Sequence, residues 1–160
     1  VSISCAQKKE KKDDVEEPKA PEVSAKTAAK IAGCNPKLWK RVYNPERLEV
    51  VEDCITVTGV IEESNAESDG DQHMLLKLDA GQDELLNKRN IKKKTGDLVI
   101  EAVCVNKVKD RKVGKTCKGY VNEVQLPDIG THVSVTGSYV IDSHNGWAEI
   151  HPISKIEVIK

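Results

Sequence analysis

The sequence predicts an all-β fold, a small OB-fold-like barrel of five strands with one short helix. Three observations predict it. Apolar and polar residues alternate in short runs from Arg47 onward, which is the period of half-buried strands. Gly59 and Gly137 interrupt two of those runs, where a barrel needs sharp bends. Asn145-Gly146 joins the last two runs, and Asn-Gly is a strong hairpin signal. The chain has no Phe and only 3% aromatic residues, so its core must come from Val, Ile and Leu. The β-branched members of that set favour strands.

The first strand is carried by Cys54-Ile55-Thr56-Val57-Thr58-Gly59-Val60-Ile61. Ile55, Val57 and Ile61 share one face, and Thr56 and Thr58 the other. A turn-rich loop, Glu62 to Gly70, follows. The second strand runs from His73 to Asp79, with Met74, Leu76 and Leu78 inward and His73, Lys77 and Asp79 outward. Asp83 to Lys94 has helical character, with Leu85, Leu86 and Asn90 on one side and Gly81 or Gln82 as its cap. A nearly continuous apolar run, Leu98 to Val108, is the third strand. Asp110 to Pro127 is a polar connection. Gly130 to Ile141 is the fourth strand, with Val133, Val135, Tyr139 and Ile141 in phase. Trp147 to Ile159 is the fifth, broken by Pro152. Five strands, two glycine bends and a closing hairpin form the pattern of a Greek-key barrel of the OB type. The helix falls between strands two and three, whereas the usual OB helix lies between three and four.

The domain occupies residues 34–160, and residues 1–33 form a tail. With 38% hydrophobic and 32% charged residues, the composition suits a folded domain plus a solvated segment. Cys5 to Lys30 is rich in Lys, Glu, Asp, Ala and Pro and cannot bury enough surface to offset its ordering entropy, so a disordered tether is expected. No apolar run reaches the roughly 18 residues of a membrane-spanning helix. The tail carries 7 Lys against 6 acidic residues, which leaves 18 basic and 20 acidic residues in the domain. That balance argues against nucleic acid, whose binding is dominated by phosphate neutralisation.

Of the five cysteines, four lie in the domain: Cys34, Cys54, Cys104 and Cys117. Four cysteines allow three pairings. No zinc-knuckle spacing is present, so disulfides in an oxidising compartment are expected, with Cys34–Cys54 and Cys104–Cys117 the preferred pairs. The fifth, Cys5, closes Val1-Ser2-Ile3-Ser4-Cys5, which resembles the end of a bacterial lipoprotein signal. That resemblance implies lipidation of Cys5 and a lipid-anchored place in the bacterial cell envelope.

A second resemblance covers Cys54 to Ile156, about two-thirds of the chain. Its stretches are Cys54-Ile55-Thr56-Val57-Thr58-Gly59, Asp69-Gly70-Asp71-Gln72-His73, Leu85-Leu86-Asn87, Gly96-Asp97-Leu98-Val99-Ile100-Glu101, Val133-Ser134-Val135-Thr136-Gly137-Ser138-Tyr139-Val140 and Gly146-Trp147-Ala148-Glu149-Ile150-His151-Pro152. Together they resemble an uncharacterised group of bacterial exported OB-like proteins. The Gly-Trp-x-Glu-Ile-His-Pro stretch is the most specific. The resemblance implies fold and export, and no activity.

One constellation carries chemistry. Asp69, Asp71 and His73 lead into strand two, Glu101 lies on strand three, and Glu149 and His151 share a face of strand five. In an OB barrel strand three lies between two and five, so His73, Glu101, Glu149 and His151 converge. Imidazole with carboxylate suits a divalent metal, held by Asp71, His73, Glu149 and His151. Structural roles are the stronger reading of these residues. Asp69-Gly70-Asp71 is turn composition, His151 has a place in a cross-barrel hydrogen bond, and Trp147 in plugging the barrel end. There is no Gly-x-Ser-x-Gly elbow and no phosphate-binding glycine loop.

The expected function is a non-enzymatic binding module of the envelope. His73, Trp147, Glu149 and His151 face a glycan, peptide or protein ligand, and the membrane is met only through the lipid anchor. The alternative is a metal-dependent, nuclease-like hydrolase using Asp71, His73, Glu149 and His151. Lys88, Arg89, Lys92, Lys93 and Lys94 would serve a nucleic-acid binder, the weakest of the three readings because lysine-rich helix faces are ordinarily solvated.

Overall fold

A computed structural model describes residues 33–160. The proposed lipidation site Cys5 and the tether lie outside the described residues. Five strands, β1 (Leu48–Ala66), β2 (Gln72–Leu78), β3 (Leu98–Ala102), β4 (His132–Asp142) and β5 (Ala148–Val158), close into a barrel in the order β1-β2-β3-β5-β4. All neighbours are antiparallel except β3 and β5, which run parallel. The all-β, five-stranded barrel with one short helix is thus observed.

Its interior contains the residues read from the alternation in β1, β2 and β4, joined by Leu98 and Ile100 of β3 and Ile150 and Ile153 of β5. Val57, Ile61, Met74, Leu76, Leu98, Ile100, Val133, Val135, Ile150 and Ile153 are buried together, with Ile55, Leu78, Tyr139 and Ile141 packed against them. β1 is far longer than the run that signalled it. Register irregularities between Val50 and Ile55 and between Ile61 and Glu63 let it curl and pair with both β2 and β4. The two glycine bends are close approaches. A Cβ at Gly59 would collide with the Lys77 carbonyl, and one at Gly137 with Ile150 and the Pro152 carbonyl.

Three boundaries differ from expectation. β3 stops at Ala102 instead of Val108, because Cys104 adopts the left-handed region at φ 58° and the chain turns away. Its carbonyl accepts from Asn122 N–H at 2.9 Å, and Asn106 N–H donates to Gly70 O at 2.8 Å, so this backbone is satisfied by loops and not by the ladder. β5 runs unbroken through Pro152, which follows a cis His151–Pro152 bond. The missing N–H falls in the register shift opposite Gly137–Tyr139, where no ladder bond is lost. The predicted helix divides into a 3-10 turn at Asp83–Leu85 and helix α1 (Lys88–Lys93). Its cap is Asn87, not Gly81 or Gln82. The Asn87 side chain accepts from Arg89 and Asn90 N–H, and Asn90 answers through a capping box. Gln82 instead clamps Thr58, accepting its N–H and donating to its carbonyl.

A second buried layer forms outside the barrel. Leu38, Val42, Leu48, Val103, Cys104, Cys117 and Val140 pack together. Val140 points away from the interior because Tyr139 and Ile141 point in. The layer joins a 3-10 turn at Pro36–Arg41 to the loop after β3. Both preferred disulfides are formed. Cys34–Cys54 ties the N-terminal segment to β1, and Cys104–Cys117 closes the loop after β3. Arg41 stacks on Tyr120 at 4.3 Å and donates to Thr116 O, which holds the two segments together. Two disulfides fit an oxidising, non-cytoplasmic location.

Candidate functional site

The outer face of β2, β3 and β5 carries the candidate residues, and register explains their meeting. His73 is paired with Glu101 across β2 and β3. Val99 is paired with Glu149 across β3 and β5. Met74, Ile100 and Ile150 point into the core, so their neighbours His73, Glu101, Glu149 and His151 point out. On an ordinary sheet that face would meet solvent. Here the second layer covers it, and Glu101, Glu149 and His151 are 6%, 0% and 1% exposed.

These groups form one connected network, two hydrogen-bonded arms joined by the ion pair of His151 with Glu101. Lys94 Nζ lies 3.1 Å from His73 Nε2. An ammonium only donates, so Nε2 accepts and Nδ1–H donates to Glu101 Oε1 at 3.0 Å. Glu101 Oε2 lies 3.1 Å and Glu149 Oε1 3.0 Å from His151 Nδ1, which must therefore carry a proton. Trp147 Nε1–H donates to Glu149 Oε2 at 2.9 Å. The network closes on itself, because Lys94 Nζ sits 4.1 Å over the Trp147 ring and His73 meets that ring edge-on. Every oxygen of both glutamates is used. One buried polar atom, His151 Nε2, has no partner among the described residues.

The electrostatics follow from this packing. For His151, burial alone would lower its pKa, but Glu101, the hydrogen bond from Glu149 and the Glu149 charge raise it to about 9. For Glu101, burial pushes upward, and His151, His73 and Arg47 together outweigh it and hold its carboxyl below the usual range. The pair is an imidazolium flanked by carboxylates. Asp71 behaves oppositely. Burial, then the neighbouring Asp69, pushes it up to about 7. Its Oδ1 accepts the Cys104 N–H at 2.7 Å, so the left-handed turn that ends β3 also aims a backbone donor at Asp71. Of the two turn aspartates, only Asp69 makes the local backbone bond, to Asp71 N–H.

Asp71, Glu101 and His151 each offer one ligand atom, and the three atoms lie within 4.8 Å of one another. Of the four metal ligands expected from sequence, Asp71 and His151 belong to this group. His73 and Glu149 instead hold Glu101 and His151 in place. Asp71 also lies near Cys104 and Cys117, but those sulfurs are consumed in a disulfide.

Above this network opens a cleft of about 700 Å³, lined by Glu67 of the β1–β2 loop, by His144, Asn145 and Trp147 of the β4–β5 loop, and by His73, Lys94 and Glu101 between them. Tyr43, Asn44, Glu46, Arg47, Glu63 and Asn65 complete the wall. Trp147 is half-buried and stands in this wall. The β4–β5 turn is built on Asp142, which accepts His144 and Asn145 N–H, Asn145 Nδ2 and the Arg47 guanidinium. Two cations of the expected helix patch turn inward to the site. Lys94 binds His73, and Arg89 Nε donates to Asn145 O at 3.1 Å. Arg47, Glu67 and Asp142 carry no sequence signal of a place at the site. They sit on segments whose local pattern carries no sign that they fold against the β2–β3 face.

No protein-family model matches the chain, and no curated protein matches it.

Proposed function

We propose that the chain is an envelope binding module: an OB-type barrel, carried on a charged tether from a lipidated Cys5, that takes a glycan in the cleft around Trp147. It would belong with the uncharacterised exported proteins whose Gly-Trp-x-Glu-Ile-His-Pro stretch it resembles. One observation carries the reading. The cleft lies between the β1–β2 and β4–β5 loops over the β2–β3 strands, and that is the face on which OB folds bind oligosaccharides and oligonucleotides. The strand order β1-β2-β3-β5-β4 supports the OB assignment.

The lining favours sugar over nucleic acid. An indole edge, carboxamides at Asn65 and Asn145 and carboxylates at Glu46, Glu63 and Glu67 are directional partners for hydroxyls. Only Lys94 and Arg47 add positive charge among the lining residues, and both are engaged, with His73 and Asp142. The disulfides support export.

The test is a glycan array with the full chain, followed by calorimetry on the glycans retained. Trp147→Ala and His73→Ala should each weaken binding at least tenfold. Retention of peptides but no glycan, or binding unchanged in both variants, would refute the assignment.

A further inference from the structure

We infer that the loop between β3 and β4 is a membrane-docking surface, which sets a cluster of cations against the anionic headgroups of a phospholipid bilayer. Residues 107–118 of that loop hold Lys107, Lys109, Arg111, Lys112, Lys115 and Lys118 against a single acid, Asp110. The domain as a whole carries 18 basic and 20 acidic residues, so the remainder is left with 12 basic and 19 acidic ones. Positive charge is therefore concentrated on one loop of an otherwise acidic body. All six cations are exposed, and none makes an ion pair among the described residues. The Asp110 carboxylate serves the loop's own backbone, accepting the Lys112 N–H at 2.9 Å.

These charges sit on a fixed frame. The Cys104–Cys117 disulfide closes the loop, and the Lys109 and Asp110 N–H groups both donate to Ser68 O of the β1–β2 loop. Gly114 packs so closely that a Cβ there would collide with Val108 and with the Asp69 carbonyl. The loop surrounds a hollow of about 440 Å³, lined by Val108, Gly114, Arg111, Lys115 and Lys118. Its lining is mainly apolar, so the three cationic residues present their alkyl stems to the hollow and their charged ends to its rim. That combination selects the partner. A nucleic acid or another soluble polyanion would use the cations and leave the apolar hollow unfilled. A bilayer matches both, with anionic headgroups for the rim and the glycerol and upper acyl region for the hollow. Surface binding grows with buried apolar area as well as with charge. Each Lys or Arg near an anionic leaflet adds about fivefold to partitioning. The N-terminal segment lies beside this loop, since Arg41 donates to Thr116 O and stacks on Tyr120. The surface depends neither on the glycan cleft nor on an acylated Cys5.

The experiment uses the oxidised full chain without an acyl group, co-sedimented with vesicles of phosphatidylcholine alone or mixed equally with phosphatidylglycerol. Binding to the mixed vesicles only is expected, and it should fall as salt is raised. Lys115→Glu with Lys118→Glu should weaken it at least tenfold with Tm unchanged. Lys92→Glu with Lys93→Glu makes the same charge change at exposed positions of α1 and should weaken it by about threefold or less. Soluble glycerophosphoglycerol, the free headgroup, should not release the protein. No binding to the mixed vesicles, or equal binding to phosphatidylcholine alone, overturns the proposal. So does equal weakening by the two lysine pairs, release by the free headgroup, or release by duplex DNA at equal charge concentration.

Discussion

Replacing Glu149 by Gln removes one charge and almost no volume from the centre of the network. Glu149 is fully buried and receives two donors, Trp147 Nε1–H on one oxygen and His151 Nδ1–H on the other. A Gln side chain accepts through one oxygen only, so its NH₂ must face a second donor. One buried N–H is left unpaired, which costs about 1–3 kcal/mol. The imidazolium also loses an adjacent anion, and breaking a buried pair costs about 3–5 kcal/mol in all. Since Gln preserves packing, about 3 kcal/mol is expected near pH 6, equivalent to roughly 10–15 °C in Tm for a domain of this size. The pH dependence makes the test specific. His151 is raised from its ordinary 6.5 to about 9, so its stabilisation is fully present below pH 6.5 and is lost as pH rises through 9. At about 1.4 kcal/mol per pH unit, metal-free wild type should lose about 3 kcal/mol over that window. In Glu149→Gln the loss should shrink, and the gap between the two proteins should narrow to about 1–2 kcal/mol by pH 9.5, where only the unpaired donor remains. Urea unfolding from pH 6 to 9.5 would measure this, with chelator present and Cys5 alkylated to prevent disulfide exchange. A wild-type midpoint that stays flat across the window, or an equal gap at both ends, would refute the imidazolium assignment.

Asp71→Asn should stabilise the metal-free protein at pH 8 by about 2–4 kcal/mol, because burial raises the Asp71 pKa to about 7 and its charged form is disfavoured. The Asp71 contribution is present below pH 3.8 and lost as pH rises through 7, so the variant should flatten that part of a urea series; an identical slope would count against it. Asn90→Ala should cost about 3 kcal/mol and expose the Ala148 amide to hydrogen exchange, since the fully buried Asn90 accepts that N–H and donates to Asp97 and Ala148 carbonyls. Unchanged protection of Ala148 would contradict this. Removing Cys104–Cys117 by paired alanines should cost about 3 kcal/mol for a loop of 13 residues' separation, read as a lower urea midpoint at constant slope. The same variant should loosen the backbone that donates to Asp71, so hydrogen exchange at the residue-104 amide as slow as in the wild type would show that the bond does not depend on the bridge.

The barrel was legible because period-two alternation is a local property. Val57, Ile61, Met74, Leu76, Val133 and Val135 each sit where their immediate neighbours place them. The glycine bends were legible for a related reason: a missing side chain inside a strand signals a close backbone approach, as at Gly59 and Gly137. Boundaries set by distant partners were not. Val103 to Val108 reads as strand, yet Cys104 gives its N–H to Asp71 and its carbonyl to Asn122. Pro152 reads as a break, yet the strand opposite slips register there. The cap at Asn87 is masked in the sequence because the helical pattern begins at Asp83, one turn before the Asn-x-x-Asn box.

The site divides along the same line. Alternation places Glu149 and His151 on one face, and strand order brings His73 and Glu101 beside them, so four members of the network follow from pattern plus topology. Pattern alone would leave that face in water, where carboxylate and imidazole pairs are weak and need no function. What changes their meaning is the cover laid over them by Pro36–Arg41 and the loop after β3, two segments with no periodicity of their own. Burial turns an ordinary polar sheet face into fixed charges at low dielectric, where well-packed apolar residues would often be as stable or more so. The fold meets that cost at Glu101, Glu149 and His151 with a partner for every carboxylate oxygen, while one imidazole nitrogen is left without one among the described residues.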